Sequence, residues 1–542
     1  MNTISIVSFI AATAAVAVFT YILVGRMKKS KSATEEYFTG GRALTWPMVA
    51  GSLLLTNLST EQLVGLNGDV FGDKALVGVA WEALAAFAMI ATALVFLPTY
   101  LASGFTTTPA FLEKRFDKTT RSMVSGLFLF GYVTVLLPVV LYTGSLALIT
   151  MFGLNMPLYI VVAIIGVLGS SYAIFGGLKS VAVSDTLNGI GLLIGGLAIP
   201  FLALAALGGG SFFEGLATLG RDNPQYLAVL AQENIDGKTV TVPWPTLFTG
   251  MMFIQVFYWS TNQVIVQRAM AARSLAEGQK GVLFASGMKL LGPIMLCLPG
   301  IIALHMPDLN IGKQDQVYGA VVRHVLPDWS LGLFAAVLVG SILSSFNSAL
   351  NSASTLFSLQ FYRGYINPSA SGEETVKIGK YFGILLAVAS IILAPQLAQM
   401  ESIFQYLQKV NGLYSVPIIG IFLLGITTKH VPALAAKIGM IVGILFYSFF
   451  TFVNIKDVIP FFANTDGDLH WLHGYFISFL ASIGIMLIIG YLAPKTKEEI
   501  AVSEEKTPAP VDMTPWPMAK KVSVGIFGAT VAIYLVLTWA AG

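Results

Sequence analysis

The sequence is short of charge. Only 11% of its 542 residues are Asp, Glu, Lys or Arg, against roughly 25% in an ordinary soluble domain. With 56% hydrophobic residues and a mean hydropathy of +0.77, the chain has too little polar surface to cover itself in water, so its solvent is lipid. A net charge of +3 is too small to suggest a nucleic-acid partner. The single cysteine, Cys297, excludes an intramolecular disulfide, and the five histidines fall at no metal-ligand spacing. The run "GGLKS" at 176–180 lacks the upstream glycine of a P-loop, which disfavours an ATP-driven pump that carries its own motor. No selectivity-filter motif or ring of like charge points to a channel. No nucleophile–base pair points to a membrane enzyme.

What is present is a series of apolar stretches near 20 residues long. They lie at about 4–24, 45–70, 76–98, 120–152, 157–173, 182–208, 244–270, 279–304, 330–361, 378–397, 403–426, 432–453, 471–492 and 519–540. An all-α polytopic membrane protein with about 14 transmembrane helices is expected, forming one domain over 1–542 in the cell membrane. The first run, Ile4 to Val24, has no basic segment before it and is followed by Arg26, Lys28, Lys29 and Lys31. It reads as a retained helix rather than a cleaved signal peptide.

Basic residues are unevenly placed. Numbering the connections from the first helix onward, odd ones hold 23 of the 31 Lys and Arg, including Lys114, Arg115, Arg273, Lys280, Lys377, Lys437, Lys520 and Lys521. Even ones hold six: Lys74, Arg221, Lys238, Lys313, Arg323 and Lys456. Lys289 and Lys409 fall inside apolar stretches. By the positive-inside rule the odd connections are cytoplasmic and both termini lie outside. The long connections 209–243 and 454–470 then lie outside, and the polar segment 494–517 is a cytoplasmic tether to the last helix.

Several residues suggest chemistry inside the membrane. The second span contains "TNLSTEQ" (56–62) and the seventh "YWSTNQ" (258–263). Asn, Ser and Thr hydrogen-bond their own backbone and compete with helix, so both spans are candidates for unwinding. A break frees carbonyls that can ligate a cation; an ordinary polar kink is the alternative. Interrupted helices at matching places, five helices apart, are the sign of an inverted-repeat transporter. In the ninth span, Ser341, Ser344, Ser345, Asn347 and Ser348 offer hydroxyls that suit a hard cation, while close helix packing is the competing reason for small residues.

Charges within spans cost roughly 2.5–3.5 kcal/mol each, so function is their default reading. Glu82 and Lys289 could hydrogen-bond hydroxyls of a solute, or simply pair with each other. Asp185 and Glu61 sit nearer to helix ends, where snorkelling or capping competes. Phe257, Tyr258 and Trp259 could stack on a ring, and Gln408 is a further polar candidate for the same cavity. Lys409 beside it faces an outer vestibule or snorkels.

Taken together these motifs resemble the sodium:solute symporter family, in its bacterial sodium/galactose and sodium/glucose cotransporter branch. The likeness is carried by "EEYFTGGRALTW" (35–46), "NLSTEQLVG" (57–65), "YAIFGGLKSVAVSD" (172–185), "YWSTNQVIVQRAMAARSLAEGQKG" (258–281) and "SSFNSALNSASTLFSLQFY" (344–362). It implies a LeuT-type inverted-repeat core of five plus five helices, with repeats at 45–208 and 244–426. It implies Na⁺ as coupling ion, held by carbonyls of Leu55, Leu58 and Ser341 and hydroxyls of Ser344 and Ser345. It implies a hexose-type sugar as solute, held by Asn57, Gln62, Glu82, Gln255, Tyr258, Lys289 and Gln408, with Tyr258 as inner gate and Asp185 linked to sodium handling. Gln255 stands where the resembled galactose transporter has Asn, Ala85 where it has Ser, and Leu136 where Asn is expected; these leave the particular hexose open. Asn347 and Ser348 occupy the positions of a second sodium site found in some relatives, which they do not indicate. A related solute, such as myo-inositol, another polyol or an organic anion, is the nearest alternative.

Overall fold

The computed structural model describes residues 3–27, 37–38, 40–105, 107–400, 402–453, 469–504, 509 and 511–541. The basic residues Lys28, Lys29, Lys31 and Lys456, and most of the outer connection 454–470, lie outside the described residues. Among the described residues the chain is all-helical apart from isolated bridges. Its main helices are α1 (Thr3–Gly25), α2 (Trp46–Asn57), α3 (Thr60–Asp73), α4 (Leu76–Ser103), α5 (Lys118–Phe152), α6 (Leu158–Leu207), α7 (Gly250–Ser260), α8 (Gln263–Met270), α9 (Leu275–Lys289) and α10 (Gly292–Ala303). After these come α11 (Asp328–Ile366), α12 (Gly372–Gln399), α13 (Ile403–Thr427), α14 (Ala433–Phe452), α15 (Trp471–Leu492) and α16 (Ala519–Ala540).

Local sequence explains many of the boundaries. Ser274, Ser371 and Ser402 cap α9, α12 and α13, each hydroxyl accepting the amide of Glu277, Glu374 or Gln405 three residues on, as in a capping box. Asp117 does the same for α5 through the Thr120 amide, at 2.7 Å. Two wide π-turns, Thr92–Phe96 and Tyr132–Leu136, lie just ahead of Pro98 and Pro138. A proline cannot donate to the carbonyl four residues back and crowds it, and a widened turn absorbs that conflict.

Among the described residues ten helices are long and apolar enough to cross a membrane, or up to eleven if the bent pair α9 and α10 is one span. The expectation of about 14 exceeds this count for identifiable reasons. Two expected spans, 45–70 and 244–270, are each divided into short halves. A third, 157–173, contributes only the shorter apolar helix Leu158–Ser170 and runs into the next as the 50-residue α6. That stretch is not one straight rod. Gly169 lies against Phe346 and Gly195 against Phe334, both on α11. Those glycines would stand about 39 Å apart on a straight helix, but their partners only about 18 Å.

The broken helices, α4 and α11 form the centre. Helix α11 packs on α6, and α2 lies between α6 and α9. Helices α1 and α16 are peripheral, with apolar side chains such as Val7 and Leu535 turned outward to face lipid.

Ties between connections follow the parity found in the sequence. Arg42 of the first connection donates to the Gly104 carbonyl of the third (2.9 Å), and Lys118 of the third to Gly364 of the ninth (2.6 Å). Lys437 of the eleventh pairs with Asp117 (2.7 Å), and Lys495 of the thirteenth donates to the Arg115 carbonyl. On the other side, Lys74 of the second pairs with Asp236 of the sixth (2.8 Å), and Lys313 of the eighth reaches the Ala398 carbonyl of the tenth (2.9 Å). Odd connections meet odd and even meet even, as two membrane faces require.

Candidate functional site: two unwound helices and a polar cavity

The first break falls inside "TNLSTEQ". Helix α2 ends at Asn57, Leu58 and Ser59 leave helical geometry (ψ 61 and −180), and α3 begins at Thr60. In an unbroken helix the Ser59 amide would take up the Leu55 carbonyl; here it turns to Asn57 O, 2.8 Å away. The freed oxygens face α11. Ser341 Oγ donates to Leu58 O (3.1 Å), and Ser345 Oγ to Thr56 O (3.2 Å). Ser344 Oγ is buried beside the Asp185 carboxylate. Of the expected sodium ligands, Leu58, Ser341 and Ser345 are thus brought together at the break, with Leu55 one turn below on α2 and Ser344 on the adjoining face of α11.

Thr56 was not singled out individually, though it opens the polar run. Its hydroxyl also lies 3.3 Å from Ser348 Oγ. Asp185 is 1% exposed, so it does not snorkel; it accepts from Ser52 Oγ of α2 at 2.7 Å. The buried Arg268 guanidinium donates to Ser348 Oγ and to the Val264 carbonyl, which places a fixed cation against the Ser348 hydroxyl.

The second break separates α7 from α8 at Thr261 and Asn262. Neighbours satisfy it. Thr92 Oγ1 donates to Trp259 O (3.0 Å), Tyr100 OH to Ser260 O (2.9 Å), and Tyr132 OH to Asn262 Oδ1 (2.8 Å). Asn262 in turn caps α8 through the Val264 amide.

Between the breaks lies a small cavity. Its lining includes Asn57, Gln62, Glu82, Gln255, Tyr258 and Gln408, six of the seven residues expected around a solute. Lys289 is the exception and sits behind the wall, fully buried. It pairs with Glu82 and donates to Asn57 Oδ1, and its Nζ lies 5.6 Å from the centre of the Trp259 ring. The two readings of this pair therefore merge: Glu82 and Lys289 bind each other, and Glu82 still faces the cavity. A Cβ at Gly292 would collide with the Glu82 carboxylate, so that glycine keeps the space for the pair. Gln255 spends its amide N–H on the Trp81 carbonyl (2.7 Å), leaving its oxygen for other partners.

The cavity also takes in Glu61, Trp81, Leu136, Trp259, Leu407 and Asn411. Glu61 neither snorkels nor caps toward solvent; it is 4% exposed and accepts from Ser59 within the break. Asn411 follows Gln408 by three residues on α13, a spacing that shares a face and could have marked it.

Two half-helices whose exposed backbone meets a polar cavity between packed helices make a secondary active transporter. The chain belongs to the sodium:solute symporter family, whose model matches residues 37–443. It is 40% identical over 544 residues to the uncharacterized symporter YidK of Escherichia coli, covering 98% of this chain and 91% of that one. It is 32% identical to the sodium/glucose cotransporter of Vibrio parahaemolyticus (81% and 83% covered) and 29% to sodium/myo-inositol cotransporter 2 of Mus musculus (88% and 75%). Its fold is similar to that of a Na⁺-coupled sialic acid symporter solved in a substrate-bound outward-open state, with a TM-score of 0.76, 20% identity, and 91% and 99% of the chains covered. The protein is a multi-pass, sodium-coupled solute symporter of LeuT-like fold and not an enzyme.

Proposed function

We propose that the solute is a neutral hexose-type sugar, imported with Na⁺ by alternating access. The observation that carries this reading is the cavity wall: carboxylates and amides at Asn57, Gln62, Glu82, Gln255, Gln408 and Asn411 beside the aromatic faces of Trp81, Tyr258 and Trp259. Such a wall pairs hydroxyl donors and acceptors around a ring with an apolar face. Lys289 holds Glu82 and Asn57 in place from behind, and Tyr258 is the inner gate. An organic anion is disfavoured, because Glu61 and Glu82 line the cavity while Lys289 is already committed to Glu82. Myo-inositol or another cyclic polyol presents similar hydroxyls and is the second reading, supported by the similarity to a myo-inositol cotransporter.

Sodium, the co-transported ion, would sit between the first break and α11, ligated by carbonyls of Leu55, Leu58 and Ser341 and hydroxyls of Ser344 and Ser345, with Asp185 nearby as an accessory. Its arrival from outside orders the break and so sets Asn57 and Gln62 for the solute. Sodium must bind that competent state better than the alternative, or it shifts nothing. The two broken helices belong to repeats at 45–208 and 244–426, which rock against each other. One charge crossing ~100 mV supplies ~2.3 kcal/mol, and a tenfold gradient adds about 1.4 kcal/mol. Together these support accumulation of several hundredfold.

The test is uptake into proteoliposomes of labelled galactose, glucose, myo-inositol and a sialic acid, each with and without an inward sodium gradient. Sodium-driven uptake of a hexose, suppressed by competing hexose and not by sialic acid, is expected. Uptake confined to the acid would overturn the sugar assignment.

A further inference from the structure

At the outer end of the first broken helix lie three buried carboxylates that the transport cycle above does not use, two on α3 and one on the connection before α11. Asp69 of α3 is 1% exposed, and Asp73 and Asp315 are buried nearby. Asp69 holds together three pieces of chain. Its Oδ1 accepts from Ser402 Oγ at 2.8 Å and from Gln314 Nε2 at 3.3 Å, and its Oδ2 from Gln405 Nε2 at 2.8 Å. Ser402 and Gln405 open α13, where Ser402 also caps the helix through the Gln405 amide. Gln314 belongs to the even-numbered connection before α11.

The same face of α3 is cut back to let these pieces approach. A Cβ at Gly65 would lie 2.5 Å from Phe404 of α13, and one at Gly68 would lie 2.8 Å from the Gln314 carbonyl. Asp73 completes the attachment by accepting from the Thr241 amide and hydroxyl of the long outer connection. Helix α3 brings Glu61 and Gln62 to the cavity, and α13 brings Leu407, Gln408 and Asn411. The Asp69 bonds therefore join two walls of the cavity at the end that the charge distribution assigns to the outside.

We propose that Asp69 is the latch of the outer gate: while its three side-chain donors are held, α3 and α13 close the cavity from outside, and solute and sodium enter when they are released. Asp69 touches neither ligand and acts as a positioning residue. The arrangement suits a latch, since hydrogen bonds to a carboxylate are strong enough to hold a closed state yet are replaceable by water once the face opens. It does not depend on which solute is carried.

The experiment reads outside access directly. Leu407→Cys is made in a Cys297→Ser background and labelled from outside with a membrane-impermeant maleimide, without solute and at low sodium. Adding Asp69→Ala is expected to raise the labelling rate by about tenfold, the equivalent of losing roughly 1.4 kcal/mol of closed-state preference. Asp69→Asn, which retains one acceptor oxygen, should fall between the two. If Asp69→Ala fails to insert, Ser402→Ala with Gln405→Ala removes two donors and leaves the carboxylate. Labelling unchanged in every inserted variant would overturn the latch. A faster rate, reversed toward the parent value by Asp69→Asn, would establish it.

Discussion

Lys289 and Ser344 illustrate two ways in which a buried polar side chain reveals its use. Lys289 is fully buried and has its partners already, Glu82 and Asn57. Removing one member of a buried pair leaves the other charge stranded, at a cost of roughly 3–5 kcal/mol, so a failing Lys289→Ala variant would not separate binding from folding. The informative variant is Lys289→Met with Glu82→Gln, which removes both charges at near-constant volume. Its thermal stability in detergent should stay close to that of the parent, and its solute affinity should fall by at least about tenfold through loss of charge-assisted hydrogen bonds. Parent-like affinity would return the pair to a structural role. Ser344 is the opposite case, because its hydroxyl faces the break with only the Asp185 carboxylate beside it. Ser344→Ala should cost at most about 1 kcal/mol of stability and raise the sodium concentration for half-maximal uptake by about tenfold, since a hard cation loses one of its oxygen ligands. Ser345→Ala should raise it too, while also costing the bond to Thr56 and hence roughly 1 kcal/mol of stability. A sodium dependence unmoved by either change would remove these hydroxyls from the ion site.

The two unwound helices differ in what satisfies their backbone. At the second break the oxygens of Trp259 and Ser260 are taken by Thr92 and Tyr100 of α4, so this break is held open by its neighbours. Tyr100→Phe leaves the buried Ser260 carbonyl without that donor, which costs about 1–3 kcal/mol. A measurable fall in melting temperature is the expected result, and an unchanged melting curve would mean that another donor takes over. At the first break the oxygens of Thr56 and Leu58 meet serine hydroxyls of α11, which leaves room for an ion. Both breaks could be read from "TNLSTEQ" and "YWSTNQ", since side chains that compete for backbone bonds disrupt a helix wherever it sits. For Glu61 the sequence leaves function and capping in competition, since it lies near a helix end; the break folds it back into the cavity. Trp81 is a cavity residue only through tertiary contact, for which an apolar helix has no local signature, whereas Asn411 is legible from its three-residue spacing to Gln408. The number of spans was harder still, because hydropathy cannot tell a broken or bent helix from a straight one.

At the scale of the whole molecule, the sorting of connections into two faces makes a prediction about every lysine at once. A membrane-impermeant amine reagent added to right-side-out vesicles should modify Lys238 and Lys313 and spare Lys114, Lys280 and Lys520; labelling of the second set in sealed vesicles would invert the topology. The segment 494–517 carries no chemistry legible in its sequence, and its polar, proline-bearing composition gives no periodicity from which docking could be read. Yet the Asp512 carbonyl accepts the Leu275 amide (2.9 Å) and the Trp516 amide reaches Gln279 (2.8 Å), fastening it beside the strand-like bridge of Leu44 with Ala272. On the opposite face the outer latch has a titratable neighbour. Burial, and secondarily Asp69, push the Asp315 carboxyl up from 3.8 to about 7, with Lys313 opposing; Asp73 is the other acid of the cluster. A raised carboxyl pKa means that the closed face holds a proton which an opened, hydrated face gives up. The closed arrangement is therefore favoured in acid, and this advantage shrinks as external pH rises from about 4 toward about 7, where it ends. Outside labelling of Leu407→Cys, normalised at each pH to that of a free thiol because the thiolate is the reacting form, should accelerate between pH 5 and pH 7 and then level off. In Asp315→Asn, where no proton is exchanged at that position, the slope should flatten, and a slope equal to the parent's would show that Asp315 has no part in closing the face.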